Sequence, residues 1–258
     1  MSRNYELITS EFLRIKNLGY VKNQRPNNDG GVGNTFEDLL GVEENNQKAP
    51  DFDGFEIKNQ RTFTKSFVSL CTKKPTSKEY GDDYMRQTFG VADEEYPSIK
   101  CFRTSIYSTR WSHVNQKAGL GKQLKIKLQV DYENKKIIFV VADLNENIIN
   151  KNVFWAFDDI RASTKKLSDL FVVKADVKKE SEAEYYSYDS ASVYLGFKGV
   201  DHFINLIADG VIRYDNRLGI YRKPRNSNMK GKPHNHGGGF RIKASDIDKM
   251  YEETIRIN

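Results

Sequence analysis

The stretch Asp51-Phe-Asp-Gly-Phe-Glu-Ile-Lys58 predicts a tight turn followed by a β-strand. Because side chains alternate between the two faces of a strand, Glu56 and Lys58 point to one face while Ile57 points to the core. The Asp-Gly dipeptide favours a hairpin-like bend, which returns Asp51 to the side of Glu56. Two carboxylates and a lysine on one surface can hold a divalent cation beside a water molecule or a phosphate oxygen, as in nuclease active sites. A charged strand end without catalytic function explains the same residues, because so loose a pattern often arises by chance.

Length and composition limit the class of protein. The chain has 258 residues, enough for one large domain or two lobes, and 38% of them are hydrophobic and 29% charged, as in a soluble globular protein. It contains no apolar run long enough to cross a membrane, and its start predicts an amphipathic helix rather than a secretory signal. The two cysteines favour a reducing, cytoplasmic compartment and argue against a disulfide framework. The net charge of +6 favours an acidic partner without selecting one.

Hydrophobic patterning predicts a mixed α/β (α+β) fold. The alternating residues 124–130 and the apolar residues 137–141 predict an antiparallel hairpin. Residues 67–72 are expected to form a strand beside residues 55–58. Few βαβ units are visible, so we expect a mixed central sheet flanked by helices.

A short helix upstream of the first strand supplies a candidate third carboxylate. Asn34 or Thr35 is expected to cap this helix, which places Glu37 in its first turn. From there Glu37 could complete the acidic site or support a second cation. An exposed helix glutamate without a catalytic role is the alternative.

The second half of the chain contains the expected domain boundary. The charged run 178–184 predicts a solvated connection between a lobe of residues 1–178 and a lobe of residues 179–258. Residues 211–221 predict a strand with a turn near Asp215-Asn216, and Ser245 is expected to cap a final helix.

A late loop, Lys230-Gly-Lys-Pro-His234-Asn-His236-Gly-Gly-Gly-Phe-Arg241, contains two of the chain's four histidines beside a glycine run. One interpretation is recognition of base edges in a DNA groove, where arginine binds guanine O6 and N7. A second is zinc binding through His-x-His, which lacks a third ligand nearby. A flexible polar loop is the third.

Basic and aromatic residues also alternate between residues 213 and 225, as on nucleic-acid-binding surfaces and on ordinary solvated strand edges. Several further basic residues are candidates for contacts with phosphates. These candidates are Lys22, Arg25, Lys73, Lys74, Arg86, Lys230 and Lys232.

Taken in order, several segments resemble the MvaI/BcnI group of monomeric restriction endonucleases, within the MutH-like nucleases. The similarity extends from about residue 10 to about residue 245, which makes it far more specific than the acidic motif alone. Its main segments are Gly31-Val-Gly-Asn-Thr-Phe-Glu37, Ala49-Pro-Asp51, Phe55-Glu-Ile-Lys58, Thr72-Lys-Lys-Pro-Thr76, Asp215-Asn-Arg-Leu-Gly-Ile-Tyr221 and the late loop from Lys230 to Arg241.

The resemblance implies a PD-(D/E)xK nuclease core within a two-lobed DNA clamp. It implies Asp51 and Glu56 as ligands of Mg²⁺, with Ile57 in the same metal-binding set, and Lys58 as the catalytic lysine. Glu37 would be the helix carboxylate of that site, and Mn²⁺ or Ca²⁺ could occupy the same position. The segments that read bases in the family would contribute Arg217, Tyr221, His234, Asn235, His236 and Arg241.

The function implied by the resemblance is a type II restriction endonuclease. It would hydrolyse duplex DNA at a short, GC-rich, near-palindromic site, as a monomer that nicks each strand in turn and needs no protein partner. A MutH-type mismatch-repair nicking enzyme shares the catalytic residues but waits for partner proteins. A non-catalytic DNA-binding module is the more distant alternative.

Overall fold

The computed structural model describes residues 5–25, 30–42, 50–64, 67–114, 123–222, 224 and 226–258. The α-helices are α1 (Glu6–Lys16), α2 (Gly31–Leu40), α3 (Asp82–Phe89), α4 (Phe157–Thr164) and α5 (Val200–Ala208), and 3₁₀-helices cover Lys165–Leu167, Ser227–Met229 and Ala244–Met250. The strands are β1 (Val21–Lys22), β2 (Glu56–Arg61), β3 (Phe67–Thr72), β4 (Val91–Ala92), β5 (Lys100–Ile106), β6 (Ser112–Val114), β7 (Leu124–Asp131), β8 (Lys136–Ala142), β9 (Ile148–Asn150), β10 (Phe154–Ala156), β11 (Leu170–Glu180), β12 (Ala183–Phe197), β13 (Ile212–Ile220), β14 (Pro233–Asn235), β15 (Gly239–Lys243) and β16 (Tyr251–Ile257). Among the described helices, none combines the length and the apolar character needed to cross a membrane.

The chain forms two compact units, each assembled from separate stretches of sequence. Unit 1 comprises Met1–Val68, Thr164–Gly199 and Lys243–Asn258, and unit 2 comprises Ser69–Ser163 and Val200–Ile242. The boundary predicted between residues 178 and 179 differs from this division, because it falls inside the β11–β12 hairpin. There Lys178 lies opposite Tyr185 in the antiparallel ladder. The charged run therefore forms the solvated end of a hairpin rather than a connection between domains.

Unit 1 is built on a sheet with the strand order β1-β12-β11-β2, to which β16 is added beside β12. Strands β11 and β2 run parallel, whereas β12 pairs with β1, β11 and β16 in the antiparallel direction. The sheet is therefore mixed. Together with the flanking helices, this confirms the predicted α+β class.

Helices α1 and α2 cover one face of this sheet. The ring of Phe36 in α2 lies 5.0 Å from that of Tyr188 in β12, and both side chains are buried. The Tyr188 hydroxyl donates a hydrogen bond to the carbonyl oxygen of Val32 at 2.8 Å, which ties the helix to the sheet. Ile57 is buried in the same core, so Glu56 on the same strand points to the other face of the sheet.

Unit 2 contains a sheet of order β10-β8-β7-β6 with β9 beside β8, and a second of order β3-β15-β13-β5-β4 with β14 beside β13. The hairpin predicted from residues 124–130 and 137–141 is confirmed as β7–β8. Residues 67–72 do form a strand, but the expectation that it pairs with residues 55–58 is wrong. Strand β3 pairs with β15, whereas β2 pairs with β11.

Three local expectations are also wrong. Helix α2 begins at Gly31, so Asn34 and Thr35 lie inside it rather than at its cap. Strand β13 runs without a turn through Asp215 and Asn216, because β5 and β15 pair with it and override the local turn preference. Ser245 lies inside a 3₁₀-helix capped by Lys243, and strand β16 follows in place of a final α-helix.

Candidate functional site

The acidic stretch of unit 1 adopts the predicted turn. Asp53 and Gly54 have φ angles of 44° and 79°, and the flanking Phe52 and Phe55 pair across the bend. The bend returns Asp51 to the start of β2, where its Oδ2 accepts a hydrogen bond from the backbone N–H of Ile57 at 2.8 Å. The carboxylate of Asp51 is thereby fixed beside the residue that follows Glu56.

Glu56 is a fully buried carboxylate with two ammonium groups on one of its oxygens. Its Oε1 accepts from Lys58 Nζ and from Lys166 Nζ, the latter at 2.5 Å. Its Oε2 is also buried and has no hydrogen-bond partner among the described residues. A buried carboxylate oxygen left without a partner is costly in a protein interior, and a cation would relieve that cost.

These residues suit a hard divalent cation. Asp51 and the unpartnered oxygen of Glu56 are carboxylate ligands of the kind that Mg²⁺ prefers. Ile57 could contribute only its backbone carbonyl oxygen, because its side chain is a hydrocarbon without a ligand atom and is buried in the core. Within the described ranges, no three His, Cys, Asp or Glu side chains converge as a ready-made metal cluster. Any cation here would depend on a backbone oxygen, on water or on a substrate oxygen to complete its coordination.

Glu37 does not lie on the face of β2 that carries Glu56. Its Oε1 is within 3.9 Å of the position that a side chain on Gly33 would occupy, and Asn59 Nδ2 is within 3.6 Å of the same point. Asn59 follows the alternation of Ile57, which places it on the α2 side of the strand. The structure thus brings Asp51, Glu56 and Lys58 together and leaves Glu37 on the helix side.

Lys166 was missed by the sequence analysis. It comes from the 3₁₀-helix Lys165–Leu167, just before β11, and its ion pair with Glu56 joins residues far apart in sequence. The parallel pairing of β11 with β2 causes this approach, since Leu170 lies directly opposite Glu56. No local motif marks such a residue, and only the strand pairing could have identified it.

In unit 2, four arginines share one face of the β13 sheet, which we call the arginine face. Alternation along β13 places Arg213, Asp215 and Arg217 on this face, and the antiparallel registers place Arg241 opposite Arg213 and Arg103 opposite Arg217. Asp215 pairs with Arg213 at 2.8 Å and with Arg241 at 3.5 Å. Burial, followed by the positive charge of Arg217, lowers the pKa of Arg241. The face is therefore strongly positive.

Aromatic rings continue the arginine face beyond the end of β13. The rings of Tyr221 and His234 are stacked, with centroids 3.7 Å apart, and His236 meets His234 edge-on at 4.5 Å. Burial and the positive charges of His236 and Arg86 lower the pKa of His234. A neutral imidazole both donates and accepts hydrogen bonds, which suits the mixed donors and acceptors of base edges.

Asn235 and Arg86 both form hydrogen bonds within unit 2. The Asn235 amide donates to Asp82 at 2.9 Å and accepts from the Gly238 N–H at 2.7 Å, so it holds the late loop. Arg86 is 3% exposed and donates to the carbonyl oxygen of Gly219 at 2.7 Å. A buried guanidinium cannot reach a phosphate, so the predicted backbone contact at Arg86 is wrong.

The other basic candidates differ in how freely they can meet a phosphate. Lys73 pairs with Asp159 at 2.7 Å, and Arg25 pairs with Asp38 at 2.5 Å. The Lys74 side chain is 75% exposed. Exposed positions are also occupied by Lys22, Lys230 and Lys232.

Comparison with known proteins connects both units to one family. A sequence model of the MvaI/BcnI restriction endonuclease family matches residues 9–251. The chain is similar to restriction endonuclease MvaI in complex with its cognate DNA substrate, with 30% identity, 100% coverage of both chains and a TM-score of 0.87. It is also similar to MvaI in the absence of DNA, with 31% identity, 100% and 99% coverage and a TM-score of 0.59. The comparison with curated protein sequences gave no match.

Proposed function

Because the chain belongs to the MvaI/BcnI restriction endonuclease family, it is a site-specific DNA nuclease, and we propose that it hydrolyses duplex DNA with Mg²⁺. The single observation that carries the metal proposal is the buried, unpartnered oxygen of Glu56 beside Asp51. The restriction endonuclease family generally uses divalent metal ions. MvaI itself has been captured with its cognate DNA substrate, which supports duplex DNA as the substrate here.

The chain's own residues would prepare both the water and the phosphate. Bound at Asp51 and Glu56, Mg²⁺ would neutralise the phosphodiester and make an attached water more acidic. The backbone N–H of Ile57 holds the Asp51 carboxylate in place. Lys58, whose side chain is 21% exposed, is close enough to solvent to orient the attacking water or to stabilise charge on the phosphate. Lys166 is a positioning residue that holds Glu56 from the 3₁₀-helix that precedes β11.

For the substrate, we propose a short, GC-rich, near-palindromic site, cut by a monomer that nicks each strand in turn. The arginine face supports guanine-rich recognition, because arginine binds guanine O6 and N7 through two parallel hydrogen bonds. Hydrolysis would leave 5′-phosphate and 3′-hydroxyl ends. We expect the chain to act in the cytoplasm.

Cleavage of plasmid DNA by the purified chain, with Mg²⁺ or with EDTA, tests the proposal. We expect linear products with Mg²⁺ alone, and sequencing of their ends would give the site and the position of the cut. Cleavage in EDTA would refute the metal requirement. Nicked circles that become linear only after another protein is added would favour the MutH-type alternative.

A matched pair of glutamate variants tests the site itself. Glu56→Gln should lower the cleavage rate by about 100-fold or more, because it removes the charge that a cation needs. Glu253→Gln, at an exposed position of β16 in the same sheet, should leave the rate unchanged. Asp51→Ala and Lys58→Ala should abolish cutting while labelled duplex DNA still binds. Retained cutting by either variant would exclude that residue from the chemistry.

A further inference from the structure

We propose that Arg103, which lies beside Arg217, is a base-reading residue. Its guanidinium would donate hydrogen bonds to O6 and N7 of one guanine. The inference deepens the proposed function and rests on it. Arg103 belongs to β5, a strand that sequence patterning did not identify. The first observation is the register of β5 and β13, in which Arg103 lies directly opposite Arg217. Like charges directly opposite each other on one face of an antiparallel pair destabilise a sheet.

The surroundings of this arginine pair do not neutralise it. Asp215 is the carboxylate on the arginine face, and its ion pairs go to Arg213 and Arg241. Within the described part of the chain, no carboxylate forms an ion pair with Arg103 or Arg217. Two exposed guanidinium groups therefore lie in register without a carboxylate partner, and an electron-rich ligand could replace the water bound to their donors.

Gly219 shows that the Arg103 guanidinium lies flat on the strand. A side chain added at Gly219 would meet Arg103 Nη2 at 2.2 Å, Arg103 Nε at 2.9 Å and His236 Cδ2 at 2.9 Å. The guanidinium of Arg103 therefore occupies the space directly above this glycine, next to His236. This arrangement limits the orientations of the Arg103 guanidinium. It also places the guanidinium on the same surface as the stacked rings of Tyr221 and His234.

The strand pairing holds the two arginines at a fixed spacing. Residues directly opposite in an antiparallel pair have Cα atoms about 4.5–5.5 Å apart, which is about 1–2 Å more than the rise of about 3.4 Å between stacked bases, a difference that two long side chains can close by converging. Two parallel forks at this spacing match two successive guanines, each bound at O6 and N7. Both arginines belong to paired strands, which hold such readers more rigidly than a loop would.

The test pairs protein variants with single-atom changes in the DNA. Once end-sequencing has given the site, kcat/KM and duplex affinity are measured for duplexes in which one guanine at a time is replaced by 7-deazaguanine, which lacks N7. Arg103→Lys keeps the charge and loses the fork. This variant should discriminate guanine from the other bases roughly 5- to 150-fold less well at one position of the site. Its discrimination at the other positions should be unchanged. At that position, 7-deazaguanine should weaken the unmodified protein but have no further effect on the variant.

Two further variants separate base reading from charge and folding. Gly219→Ala should shift the guanidinium of Arg103 and reproduce the loss at the same guanine, with an unchanged unfolding temperature. Arg161→Ala removes one charge from the exposed side of α4 in the same unit and should leave discrimination unchanged. An equal loss at every position, or no loss, in Arg103→Lys would overturn the proposal. If the unmodified chain binds duplexes without sequence preference, this inference fails; if it binds selectively but never cuts, the proposed cleavage fails instead.

Discussion

The Arg86→Ala substitution tests whether Arg86 binds a phosphate or stabilises the fold. The sequence predicts Arg86 as a contact to the DNA backbone, whereas in the structure it is buried and hydrogen-bonds to three strands. Its Nη1 donates to the carbonyl oxygens of Gly219 at 2.7 Å and Lys100 at 3.3 Å, and its Nη2 donates to that of His234 at 3.4 Å. These acceptors belong to β13, β5 and β14, so one side chain joins the strands that carry the arginine face and the histidines.

The expected loss of unfolding free energy follows from those distances. The bond to Gly219 is a well-formed charged hydrogen bond, which contributes ~1.5–3 kcal/mol, and the two longer bonds contribute less. Gly219 also lies opposite His234 in the β13–β14 ladder, so its carbonyl oxygen is not left without a donor and no further penalty is added. Relief of the desolvation of a buried charge offsets part of this sum. We therefore expect Arg86→Ala to lower the free energy of unfolding by about 2–4 kcal/mol, and Arg86→Met by less because it fills more of the volume.

Urea unfolding and salt-dependent DNA binding together provide the assay. Lys74→Ala is the control, because Lys74 is an exposed candidate for a phosphate contact. It should change stability by no more than about 0.5 kcal/mol and lower the salt slope of DNA binding by about 1. Folded Arg86→Ala protein should keep the original salt slope. A stable Arg86→Ala variant with a reduced slope would refute the structural role.

Three further predictions concern the two units separately. Lys166→Met should lower the cleavage rate roughly 10- to 100-fold with duplex affinity retained, because Glu56 loses a charged hydrogen bond; an unchanged single-turnover rate would refute this positioning role. Tyr188→Phe should lower the free energy of unfolding by about 0.5–1.5 kcal/mol in chemical denaturation, since one buried hydrogen bond between α2 and the sheet is lost. NMR titration should give His234 a pKa below about 6.5. As the pH falls below this value, the unfolded chain takes up the proton first, so the stability contributed by neutral His234 is lost.

The catalytic stretch could be predicted because its geometry is local. Strand alternation puts Glu56 and Lys58 on one face, and the Asp-Gly turn returns Asp51 to the strand, whatever surrounds them. The hairpin β7–β8 was predictable for the same reason, since both strands and their connection lie in one short segment. In each case neighbouring residues determine the arrangement.

The remaining features depend on partners that are distant in sequence. Lys166 reaches Glu56 through the parallel pairing of β11 with β2, and Arg103 reaches Arg217 through the pairing of β5 with β13. Residues 102–106 (Phe-Arg-Thr-Ser-Ile) break the apolar–polar alternation at Thr104, so this segment gives only a weak strand signal. Residue type alone also could not separate a buried arginine from an exposed one.

Each unit contains an electrostatic arrangement that destabilises the folded chain, with negative charge in one unit and positive charge in the other. In unit 1, a buried carboxylate oxygen of Glu56 has no donor among the described residues, and it would gain from a cation. In unit 2, Arg103 and Arg217 are opposed without an ion-pair partner on the described strands, and they would gain from electron-rich base edges. Neither arrangement benefits the folded chain alone, since apolar or paired residues would be more stable at both places. The first would be relieved by a divalent cation and the second by electron-rich base edges. Their coexistence in one chain therefore argues for catalysis coupled to sequence recognition more strongly than either feature does by itself.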